Sequence, residues 1–94
     1  MSTLSPGATD NEILGEIGRR LQALRRARRM TQSEAAERSG ISRRTVYGAE
    51  NGENPTLLTV VRLLRTYGRL GALQDFIPVP EVSPLEEIDR TSRG

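Results

Sequence analysis

The sequence predicts an all-α domain of five short helices, with a sharp turn between the second and the third. Three observations predict it. Apolar residues recur at helical spacing in successive segments and do not alternate. Thr9 with Glu12, and Thr31 with Glu34, have the spacing of the capping boxes that start helices. Gly40, Gly52 and Gly68 each fall where a periodic segment ends.

Taken in chain order, residues 1–8 hold Ser, Thr, Pro and Gly with little apolar content and read as a disordered leader. The domain proper spans residues 9–77. Its first helix starts at the Thr9 box and runs to about Arg28, with Ile13, Ile17, Leu21 and Leu24 on one stripe. Thr31 starts the second, in which Ala35, Ala36 and Ser39 are small inward residues, and Gly40 ends it as a left-handed cap. Ser42 caps a third helix through Val46 and Glu50, stopped by Asn51-Gly52. Pro55-Thr56 opens a fourth, carrying Leu57, Val60, Val61 and Leu64, and Gly68 stops it. Leu70 to Ile77 supports a short fifth helix. Residues 78–94 contain Pro78, Pro80 and Pro84 and cannot form one continuous helix, although Ser83-Pro84 with Glu86 and Glu87 has the makings of one marginal turn.

Composition narrows the function. With no Cys and no His in 94 residues, disulfides, thiolate or imidazole metal sites and Cys or His catalysis are excluded. No acid-base or nucleophile constellation can be assembled from the scattered carboxylates, so no enzyme, no metal and no cofactor is expected. The chain lacks an apolar run of membrane-spanning length and the basic start of a signal peptide, which predicts a cytoplasmic protein that does not enter membranes. The net charge of +2 conceals an asymmetry. From Ile17 to Arg69, 12 arginines stand against four glutamates, whereas residues 70–94 are net acidic. A basic body suits a polyanion partner, and it is also compatible with a merely solvated surface.

The segment from Thr31 to Gly52, TQSEAAERSGISRRTVYGAENG, is the most specific signal in the chain. A DNA-binding helix-turn-helix needs a small residue inside its first helix, a Gly at the turn and apolar anchors on its second helix. Ala36, Gly40, Ile41 and Val46 meet these needs in order. Arg43 and Arg44, at the start of the third helix, carry the planar fork that pairs with guanine O6 and N7, although either can serve a phosphate instead.

With T-Q-x-x-x-A at Thr31 to Ala36 and E-N-G at Glu50 to Gly52, residues 13–77 resemble the lambda-repressor-like (Cro/CI, or XRE) helix-turn-helix family. The resemblance implies a five-helix domain whose third helix enters the major groove, and a homodimer on a palindromic operator. It implies that Ser42, Arg43, Arg44 and Tyr47 read bases, with Tyr47 against a sugar or a thymine methyl unless it only packs along its own helix. It further implies phosphate contacts from Thr31, Gln32 and Asn51, with Gln32 also bracing the third helix, and a largely buried ion bridge between Arg25 and Glu50. Gly48 departs from the pattern, since relatives often carry a base-reading side chain there.

Double-stranded DNA and a second copy of the chain are therefore the expected partners, with Leu70, Leu73, Phe76 and Ile77 on the fifth helix as the expected dimer contact. Three roles fit: a stand-alone repressor, a DNA-binding antitoxin, and the controller protein of a restriction-modification system. The antitoxin role comes from the tail LGALQDFIPVPEVSPLEEIDR, which is similar to the ends of HipB-type antitoxins and would bind a toxin.

Overall fold

The computed structural model describes residues 4–81. Helix α1 (Asp10–Ala27) starts at the Thr9 capping box, in which the Thr9 hydroxyl accepts from the Glu12 N–H and the Glu12 carboxylate accepts from the Thr9 N–H. The Thr9 N–H first, and the Thr9 hydroxyl second, hold the Glu12 carboxyl below its ordinary value. The same reciprocal pair, Thr31 with Glu34, starts α2 (Gln32–Ser39). Ser42 and Thr56 cap α3 (Arg43–Glu50) and α4 (Leu57–Thr66) with single side-chain bonds to the N–H groups of Thr45 and Thr59. Pro55 precedes the α4 cap and lies outside the helix.

All four helices end in the same way. An N–H one residue past a left-handed position reaches back five residues: Met30 to Arg25, Ile41 to Ala36, Glu53 to Gly48 and Arg69 to Leu64. Gly40, Gly52 and Gly68 hold the left-handed position at three of these ends, and Arg29 holds it at the first with φ 56. The repeated stop keeps the loops short, with only Gly40, Ile41 and Ser42 between α2 and α3.

The core is Leu21, Ala35, Ala36, Val46, Ala49, Leu63 and Tyr67, with Ile17, Leu24, Met30, Ile41 and Leu64 packed against it. The alanines of α2 bring its backbone close to α3 and α4, and Tyr67, fully buried just beyond the end of α4, fills the space they leave. Each fully buried aliphatic side chain contributes about 1.5–3 kcal/mol relative to exposure.

Two expectations are corrected. On α4 the inward row is Thr59, Leu63 and then Tyr67, whereas Leu57, expected on the apolar stripe, is exposed. Val60, Val61 and Leu64 are half-buried at its edges. The row follows i, i+4 steps from a polar residue, Thr59, which is buried while its hydroxyl accepts from the Thr56 hydroxyl. The fifth helix is not continuous from Leu70 to Ile77. A 3-10 turn, Leu70–Ala72, leads into a single turn, α5 (Leu73–Phe76), and Ile77 is extended. Neither piece has a side-chain cap or a buried residue, so little holds it helical.

Of the expected leader, residues 4–8 are described, and they close a turn in which the Ala8 N–H donates to the Ser5 carbonyl. The tail is described only to Glu81, and the turn expected at Ser83-Pro84 lies outside the described residues. Among the described residues no helix is long and apolar enough to cross a membrane.

Candidate nucleic-acid interface

Helix α3 has eight residues and buries Val46, Ala49 and Glu50. Those positions define its inner face, so Arg43, Arg44 and Tyr47 must point outward. All three are exposed, and Ser42 is exposed beside them at the helix start. The four residues expected to read bases thus share one accessible surface.

Their states differ. The Ser42 hydroxyl accepts from the Thr45 N–H at 3.0 Å and lies 2.8 Å from the Thr45 hydroxyl, so it is occupied by its capping task. The Arg43 side chain has no hydrogen bond or ion pair with any described residue. Arg44 is held twice. Its Nη2 donates to Glu53 Oε1 at 2.8 Å and its Nη1 reaches Glu53 Oε2 at 3.4 Å, while its guanidinium carbon lies 5.2 Å from the centre of the Tyr47 ring. The Glu53 carboxylate raises the Arg44 guanidinium above its ordinary value.

The position of Gly48 is not empty space. A Cβ added there would stand 3.7 Å from Arg44 Nη1 and 3.8 Å from Glu53 Cβ, so the Arg44–Glu53 pair lies across the bare backbone.

Behind this surface a polar cluster fixes the angle of α3. Arg25 Nε donates to Glu50 Oε2 at 2.6 Å and Nη2 to Oε1 at 3.1 Å, with both side chains buried. Arg25 Nη1 donates to the Met30 carbonyl, and Gln32 Nε2 donates to Glu50 Oε1 at 3.1 Å. The guanidinium is raised above its ordinary value, chiefly by the hydrogen bonds it donates to Glu50. Gln32 therefore braces α3 directly, as the resemblance implies. Of the other residues expected at phosphates, the Thr31 hydroxyl accepts from Glu34 and the Asn51 amide donates to the Tyr47 carbonyl at 2.8 Å. All three lie at the ends of α2 and α3, and each has a side-chain bond within the protein.

Three residues of the site carry no local signal. Gly18 is one: a Cβ there would strike the carbonyl oxygen of Glu50 and would lie 2.7 Å from that of Ala49, so only a glycine lets α1 meet the end of α3. Glu53 reaches Arg44 only because Gly52, at φ 70, turns the chain back. Arg28 crosses from α1 to donate Nε to the Tyr67 carbonyl at 2.9 Å.

A family model for a helix-turn-helix domain matches residues 16–76, which takes in α1 through α5 apart from the first turns of α1. No curated protein matches the chain.

Proposed function

This chain belongs to the helix-turn-helix domain family, and from that premise we propose that it is a cytoplasmic, sequence-specific transcriptional repressor of the lambda-repressor-like (Cro/CI, XRE) type. It binds a palindromic operator as a homodimer, with α3 in the major groove, and catalyses nothing. The observation that carries this reading is the outer face of α3, where Arg43, unpaired among the described residues, a positioned Arg44 and Tyr47 stand together on a body rich in arginine. Phosphates attract such a body regardless of sequence, and base edges then select the site.

Selection of bound duplexes from a random library tests the reading. The expected outcome is a two-fold symmetric consensus containing a guanine in each half. Arg43→Ala should then cost about 1–3 kcal/mol on that consensus and relax preference at one base pair. Equal loss on consensus and scrambled duplexes would make Arg43 a phosphate contact. Enrichment of no duplex at all would remove the proposed function.

A second reading, the antitoxin, is favoured by the exposed run of Phe76, Ile77 and Val79 leading into the acidic end of the chain. On that reading, deletion of residues 80–94 leaves the dimer and the operator affinity intact and abolishes binding to the product of the neighbouring gene. Loss of the dimer on truncation would instead assign the segment to the fold.

A further inference from the structure

A guanidinium carries five N–H donors. The Glu53 carboxylate meets Arg44 end-on, using one donor from each terminal nitrogen. That leaves the Nε–H and a neighbouring Nη–H as an intact fork, the arrangement that matches O6 and N7 of guanine. The guanidinium carbon of the same group lies over the Tyr47 ring, 5.2 Å from its centre, a second contact beside the Glu53 carboxylate. Gly48 supplies the room, and a side chain longer than Ala would lift the pair off the helix.

We infer that Glu53 is a specificity-determining residue: it positions Arg44 so that the free fork reads a guanine, with the Tyr47 ring as a second contact on the same group. The inference rests on the DNA-binding reading above. Two effects follow from the geometry, and both favour operator over random DNA. Holding the long Arg44 side chain in advance lowers the ordering cost of the base contact. Neutralising its charge weakens the sequence-independent attraction to phosphate.

The test starts from the duplex that the wild-type protein enriches from a random library, with a scrambled duplex of equal length and composition as reference. Affinities for both are measured for the wild type, Glu53→Gln, Arg44→Ala and the double variant. With Glu53→Gln the ratio of the two affinities should fall by about two- to five-fold, the range expected of an exposed ion pair, with the melting temperature unchanged. In the Arg44→Ala background the same substitution should leave the ratio where it was. Gly48→Leu, which disturbs the pair without altering either charge, should reproduce the fall.

An unchanged ratio in Glu53→Gln overturns the inference. So does an equal fall in the absence of Arg44, because Glu53 would then change the ratio by a route that does not pass through Arg44. A wild-type protein that enriches no duplex fails at the first step, and there it is the DNA-binding reading that is lost.

Discussion

Arg25 and Glu50 form one bidentate, buried ion pair that ties α1 to the last turn of α3 across 25 residues of sequence. Desolvation of the two charges offsets much of their attraction, so the pair contributes more to the angle of α3 than to net stability. Removing one partner is another matter, because the other remains buried and charged. Arg25→Met or Glu50→Leu should each destabilise by about 3–5 kcal/mol in urea unfolding at neutral pH. The double variant should regain much of that loss. A double-mutant cycle with coupling near zero would show that the two groups do not depend on each other.

Two glycines of α1 should respond in opposite directions. Gly18→Ala places a methyl against the Ala49 and Glu50 carbonyls, and backbone cannot move aside without separating α1 from α3. A cost of about 1–3 kcal/mol or more is expected. At Gly15 an added Cβ meets only the end of the Arg19 side chain at 3.5 Å, so Gly15→Ala should stabilise by up to about 1 kcal/mol through helix propensity. Thermal unfolding of the two variants checks the contrast, and shifts of the same sign would refute the close approach at Gly18.

Tyr67 buries its whole side chain, and its hydroxyl has no hydrogen-bond partner among the described residues. Burial, aided by the Glu50 charge and opposed by Arg25, pushes its pKa up to about 12 from 10.0. Because the folded value lies above the unfolded one, the contribution is fully present below pH 10 and is lost as pH rises toward 12. Tyr67→Phe removes an unsatisfied polar group, so near neutrality it should be neutral or stabilising by up to about 1 kcal/mol. It should also flatten the loss of stability between pH 10 and 12, relative to the wild type. A destabilised variant at pH 7 would mean that the hydroxyl has a partner in solution.

What the sequence made legible is what short-range chemistry decides. Capping boxes, left-handed glycines and the helix periods act within a few residues, and they place the first four helices and the outer face of α3. The Arg25–Glu50 bridge came from family resemblance, since nothing local joins the two residues. Gly18 reads as a weak point in a helix until the carbonyls of Ala49 and Glu50 are set beside it. Tyr67 sits at a helix end, next to a glycine stop, where an exposed aromatic is as ordinary as a buried one. The α4 row was displaced because Leu57 looks more apolar than Thr59, yet the helix turns Thr59 inward. The fifth helix was overextended because apolar spacing was its only support, with no cap to start it.

The turns from Leu70 to Ile77 leave an apolar surface open. Leu70, Phe76 and Ile77 are 39%, 53% and 69% exposed, and Leu73 is half-buried beside them. A domain with so small a core gains from covering such a surface, and a second copy related by a two-fold axis would cover it with the same residues. The two α3 helices would then lie about 34–36 Å apart, one turn of DNA, which is what a palindromic operator requires. Sedimentation at tens of micromolar should show a dimer. Phe76→Asp, which places a charge in the middle of the contact, should give a folded monomer with markedly weaker operator binding. A wild-type protein that sediments as a monomer, with operator affinity indifferent to Phe76→Asp, would assign this surface to another partner.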